Sequence, residues 1–237
     1  MMIFTGELIG TFLLILLGNG VVANVVLSKT KGHGSGWIVI TFGWAIAVFT
    51  GVYVSAKTSG AHLNPAVSLA LAYLDKISWN DLPVYLGGQL VGAMLGAFMV
   101  WIAYYRHFEA TADPLDKLAV FATGPAIRSP IHNLLTEIIG TFALIFGVLH
   151  IVAPANSLGA LDALPVALLV LGIGLCLGGP TGYAINPVRD FAPRLMHAIL
   201  PIKGKGQSDW AYSWIPILGP FIGALLAAIV FQIIGNM

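Results

Sequence analysis

Ser59-Gly60-Ala61-His62-Leu63-Asn64-Pro65-Ala66 and Thr181-Gly182-Tyr183-Ala184-Ile185-Asn186-Pro187-Val188 are two versions of one segment. Each closes on Asn-Pro and opens a short apolar run. Asn is a favoured N-cap, and Pro suits the first helical position because its missing N–H would be unpaired there anyway. Both segments therefore read as helix starts. The runs that follow, Pro65–Leu74 and Pro187–Leu200, reach only about 15–21 Å at helical rise, roughly half of a bilayer's hydrocarbon.

A bilayer is the relevant yardstick. The chain is 58% hydrophobic and 9% charged, with mean hydropathy +0.90. A soluble domain carries about 25% charged residues to solvate its surface. Six longer apolar segments read as membrane spans: Phe4–Leu27, Trp37–Val54, Pro83–Tyr105, Asn133–Ala155, Ala163–Gly179 and Trp214–Ile234. Each fits the roughly 17–25 residues that cross hydrocarbon. The two shorter runs follow irregular stretches, 55–63 and 178–185. Non-helical backbone at membrane depth survives only where protein buries it or water lines it. Two re-entrant half-helices thus imply an aqueous path through an all-α membrane protein. A net charge of +1 leaves no basic footprint for nucleic acid. Glu7 stands where a signal peptide would be basic, so no cleavable leader is read.

The duplication extends beyond the two boxes. Glu7-Leu-Ile-Gly-Thr-Phe12 is echoed by Glu137-Ile-Ile-Gly-Thr-Phe142, and Gly88-x-x-x-Gly92-Ala93 by Gly219-x-x-x-Gly223-Ala224. With the boxes, the offsets are 130, 122 and 131 residues, in the same order. Each half, 1–110 and 130–237 of a single 1–237 channel domain, holds three spans and one half-helix. Three crossings is odd, so the halves are inverted about an axis in the membrane plane. The half-helices enter from opposite faces and meet near the middle. There, Asn64 and Asn186, each capping its own helix through its oxygen, are expected to hold free NH₂ donors toward the path. Two helix N-termini add partial positive charge, which opposes cations and proton relay.

With its paired Asn-Pro boxes, its two Glu-x-x-Gly-Thr-Phe openings and the 179–190 segment, the chain resembles the major intrinsic protein (aquaporin) family. Within it, the similarity is to bacterial glycerol facilitators of the aquaglyceroporin branch. The resemblance covers essentially the whole chain. It implies six helices plus two half-helices, one pore per subunit, a homotetramer, and a bacterial inner (plasma) membrane with cytoplasmic termini. It also implies passive passage of glycerol, other small neutral solutes and water, without cofactor or metal. By resemblance the selectivity filter is Trp44, Gly174, Tyr183 and Arg189. Trp44 supplies an apolar wall, Gly174 widens the constriction, and Arg189 donates to solute hydroxyls. Asp190 after the arginine marks the glycerol-passing branch. The carbonyls of Gly60, Ala61 and His62, and of Gly182, Tyr183 and Ala184, are expected on the pore wall as acceptors. Glu7 and Glu137 are expected to brace those loops; the alternative is a proton-relay carboxylate. Two departures stand out. Val188 follows the second Asn-Pro where Ala is usual, and Tyr183 replaces Phe, so its hydroxyl is expected to narrow or polarise the filter.

Other residues read as structural. Successive helical residues point about 100° apart, so Arg189 and Asp190 are expected to take different partners. His150 reads as a satisfied core residue and the lone Cys176 as a buried thiol. His33, His107, His132 and His197 form no metal-spaced cluster, and no nucleophile–base pair or phosphate loop points to an enzyme. With cytoplasmic termini, Lys57 and Lys76 lie inside. Lys29, Lys31, Arg106, Lys117, Arg128, Arg194, Lys203 and Lys205 lie outside, against the positive-inside rule. Two alternatives stay within the family: a preference for water, or for a small undissociated acid. A coupled secondary transporter is the rival from another class, since such proteins also use inverted repeats and broken helices. A scaffolding protein with a nearly closed pore is a further rival.

Overall fold

The structure, a computed structural model, describes residues 1–151 and 156–235, and all of its helical and strand-type regular structure is helix. The first half comprises α1 (Met2–Val26), α2 (Trp37–Ser59), the short α3 (Pro65–Tyr73) and α4 (Leu82–Ala103). Two surface helices, α5 (Tyr105–Ala110) and α6 (Pro114–Ala119), lead to the second half. That half is α7 (Pro130–His150), a 3₁₀ turn (Gly159–Ala163) running into α8 (Leu164–Leu177), α9 (Pro187–Ile199) and α10 (Ile215–Gly235).

Six units are long and apolar enough to span: α1, α2, α4, α7, the 3₁₀–α8 unit and α10. Their bounds differ from the hydropathy reading where polar residues extend or shorten a helix. α2 continues past Val54 to Ser59, and within it Ser55 Oγ donates to Gly51 O at 2.7 Å. It stops at Gly60, whose φ of +83° is a left-handed cap open to glycine at little cost. The fifth span starts earlier, at Gly159, and ends at Leu177 rather than Gly179. The last residues expected of the fourth span, 152–155, lie outside the described residues.

The packing repeats itself. α1 packs on α2 and α4 as α7 packs on α8 and α10, while α3 seats against α10 and α9 against α4. Each half-helix thus leans on the other half's third span, and the halves interlock as an inverted repeat. The tight pairs run on small residues. A Cβ at Gly88 or Gly96 would sit 2.6 or 2.7 Å from the carbonyls of Phe4 or Phe12, and one at Gly219 would sit 2.6 Å from Glu137 Cβ. In lipid, where apolar burial gives helices little reason to associate, such close backbone approach supplies the packing. The outward faces stay apolar, with Ile38, Phe42 and Ile46 of α2 among the exposed side chains.

Candidate pore

α3 and α9 begin where expected, each capped by its asparagine. Asn64 Oδ1 accepts from Ala66 N at 2.9 Å, and Asn186 Oδ1 accepts from Val188 N at 3.1 Å and Arg189 N at 3.3 Å. The amides are not wholly free, however. Asn64 Nδ2 donates to Ile185 O and Asn186 Nδ2 to Leu63 O, both at 2.8 Å. Each asparagine ties its own helix start to the opposite loop. An amide carries two N–H donors, so this leaves one per asparagine.

The loops before the boxes are strained and braced. Ala61, Leu63, Tyr183 and Ile185 all have positive φ, between +38° and +54°, outside the regions most residues adopt. Glu7 Oε1 accepts from Ser59 Oγ (2.6 Å) and His62 N (2.9 Å), and its Oε2 from Leu63 N and Gln89 Nε2 (both 2.7 Å). Glu137 repeats the pattern, with Thr181 Oγ1 (2.7 Å) and Ala184 N (3.0 Å) on Oε1 and Ile185 N (2.9 Å) on Oε2. Because the carboxylates take the N–H groups, the loop carbonyls turn the other way. Among the described residues no donor reaches the carbonyls of Gly60, Ala61, His62, Tyr183 or Ala184, and these five residues border one cavity of about 230 Å³. His62 also stacks on Tyr85, 4.1 Å between centroids, and its Nδ1 pairs with Ser68 Oγ at 3.0 Å.

Asn64, Asn186, Trp44, Tyr183 and Arg189 line the same cavity. Arg189 is 8% exposed, and its guanidinium carbon lies 4.2 Å from the centre of the Trp44 ring. Its side chain has no acceptor among the described residues. Gly18 makes room for Trp44, since a Cβ there would collide with the indole.

Five further expectations change. Gly174 does not border the cavity; a Cβ there would lie 2.9 Å from Tyr183 Cζ and 3.0 Å from Thr41 Cγ2, so the missing side chain houses the tyrosine ring. Tyr183 borders the cavity, but its Oη is buried without a partner among the described residues, so it offers the cavity no hydroxyl. Gly182 also stays behind the wall, its N–H on Gly178 O at 2.8 Å. His150 and Cys176 are exposed rather than core: the end of α7 and the outward side of the last turn of α8 sit where hydropathy alone places interior.

Several residues carry the site without a motif to flag them. Asp190 does not pair with Arg189. It accepts from Arg194 Nε at 2.7 Å and from Thr123 N and Oγ1, each at 2.7 Å. Arg194, counted among the charges on the outer side, is fully buried, and also donates to the carbonyls of Thr123, Ser208 and Asp209. This clamp pins two loops onto α9, and Thr123 packs beside Gly182. The apolar wall is equally symmetric: Leu14 with Leu144 and Val48 with Val170, at the repeat offsets. Those offsets were the available signal. Val67 is the counterpart of Arg189, so one end of the cavity is cationic and the other apolar.

The comparisons agree with this architecture. The family model "Major intrinsic protein" matches residues 2–231. The chain is 57% identical to a probable glycerol uptake facilitator protein of Thermotoga maritima, over 98% of this chain and 99% of that one. It is 51% identical to a glycerol uptake facilitator protein of Streptococcus pneumoniae, over 96% and 97%. It superposes on the crystal structure of the aquaglyceroporin from Plasmodium falciparum with a TM-score of 0.86, at 33% identity, over 98% of this chain and 95% of that one. Two inverted halves meeting at capped asparagines, with a family match over nearly the whole length, place this chain in the major intrinsic protein family.

Proposed function

We propose that this multi-pass membrane protein is a passive channel for glycerol and other small uncharged solutes, with water, and that it excludes ions and protons. The observation that carries the reading is the cavity's composition. Among the described residues it has a row of unpaired carbonyls, one uncommitted N–H on each of Asn64 and Asn186, and an arginine without a protein acceptor, opposite a wall of leucine and valine. A polyol, with hydroxyls on one edge and carbons on the other, matches that division. The relatives named as glycerol uptake facilitators support it. Two half-helix N-termini and Arg189 oppose cations, and a charge entering an apolar constriction also loses hydration.

In this reading Trp44, Tyr183 and Arg189 form the filter, with Gly174 seating Tyr183. Asn64 and Asn186 are the central donors, and Glu7 and Glu137 are braces. The repeats are 1–110 and 130–237, the assembly is a homotetramer, and both termini are cytoplasmic in a bacterial inner membrane. The basic residues on the opposite face run against the positive-inside rule, which counts Lys and Arg rather than net charge; the orientation rests on the resemblance to the family. Stopped-flow light scattering on proteoliposomes tests the reading. Glycerol permeability should rise well above that of empty vesicles, and Asn64→Asp with Asn186→Asp should abolish the selectivity for neutral solutes. Glycerol permeability equal to that of empty vesicles contradicts it.

A further inference from the structure

Trp37 opens α2 directly after Gly36, whose φ of +92° turns the chain into the helix. It does not border the cavity and is 38% exposed. Yet it touches Tyr183 of the filter and Gly174, which seats that tyrosine. Its Nε1–H donates to Gly174 O at 3.0 Å. Gly174 lies in the last turn of α8, where the final carbonyls lack an intrahelical partner, so the indole satisfies a group the helix leaves open. Its ring also meets Tyr183 edge to face, with centroids 5.7 Å apart and planes at 78°.

The space around the pair is closed. A Cβ at Gly178 would lie 2.5 Å from Tyr183 Cδ1 and 2.7 Å from Trp37 Cζ2, so that glycine is the gap through which the rings meet. Gly174 flanks the tyrosine, with Thr41 of α2 at the same gap, and Tyr183 is 5% exposed. The ring is walled by Trp37 behind and by α8 and α2 at its sides. Tyr183 also borders the cavity. We propose that Trp37 is a positioning residue that fixes, from behind the wall, how far Tyr183 stands into the pore, and thereby the ranking of glycerol against water. The inference rests on the filter reading above.

The test is the ratio of glycerol to water permeability in proteoliposomes, normalised to channel number. Trp37→Leu removes both the donor and the aromatic edge, and the ratio should move about three- to tenfold, the range expected for an edge-to-face pair. Trp37→Phe keeps an edge without the N–H and should move it less, in the same direction. Loss of folded protein scales both permeabilities together and leaves the ratio alone. In a Tyr183→Ala background Trp37→Leu should add no further shift, because coupled residues are not additive. A ratio unmoved by Trp37→Leu, or moved equally with and without Tyr183, overturns the inference. Trp44→Ala separates the two levels. If it shifts the ratio while Trp37→Leu does not, only the role of Trp37 falls; if neither shifts it, the filter reading falls as well.

Discussion

Glu137→Gln changes a single oxygen for an NH₂ and keeps the side chain's shape, so its effect is readable bond by bond. Oε1 holds Thr181 Oγ1 and Ala184 N; Oε2 holds Ile185 N. If the new NH₂ takes the Oε1 place, Thr181 can rotate its hydroxyl to accept, but the Ala184 N–H then faces a donor. If it takes the Oε2 place, the Ile185 N–H does. One buried backbone N–H is orphaned either way, at about 1–3 kcal/mol, and the surviving bonds drop from charge-assisted to neutral strength. The total is about 2–4 kcal/mol. The restrained loop carries Tyr183 and Ile185 at φ +38° and +42°, conformations costing ~1–3 kcal/mol each, so the loss is comparable with the strain being held. Ile185 O also receives Asn64 Nδ2, which carries the disturbance to the meeting of the half-helices. If 1.4 kcal/mol of the total falls on the open loop geometry, glycerol flux per channel drops about tenfold. Glu7→Gln should behave alike, orphaning His62 or Leu63. The assay is stopped-flow glycerol flux per channel, with loss of monodisperse protein on heating in detergent as the stability readout. Wild-type flux with an unchanged heating profile refutes the bracing argument.

Three further substitutions bear on the site. Gly174→Ala places a methyl 2.9 Å from Tyr183 Cζ, and with Trp37 behind, the ring yields toward the pore; glycerol permeability should fall more than water permeability in stopped-flow traces. Arg189→Val removes the cavity's fixed cation but not the half-helix dipoles, so voltage-clamped cells should show a modest proton or cation leak while glycerol still passes. Asp190→Asn leaves Arg194 buried without its counter-charge, a loss of about 3–5 kcal/mol, and folded protein in the membrane should fall sharply; Asp190→Leu with Arg194→Met should recover part of it.

The fold was legible because its punctuation is local. Asn-Pro twice, on runs too short to span, with matched offsets, fixes two caps and an inverted repeat before any packing is known. The glutamates were legible for the same reason. What stayed hidden depends on contacts between distant segments. Nothing near Gly174 announces that its open side is taken by Tyr183, from the following loop, and wedged by Trp37, from the other half. Arg194 is indistinguishable in sequence from a solvated charge four residues after an aspartate, and only the loops at 123 and 208 make it a buried clamp. The one-donor limit on Asn64 and Asn186 was equally invisible, because their partners are carbonyls 121 and 123 residues away.

The central claim is passive passage of a neutral solute, and radiolabelled glycerol uptake into sealed proteoliposomes tests it most directly. Uptake should equilibrate at equal inside and outside concentrations, at the same plateau with or without imposed sodium or proton gradients, because the donors and carbonyls that line the cavity suit a neutral solute. Accumulation of glycerol above the external concentration, driven by either gradient, would contradict the account.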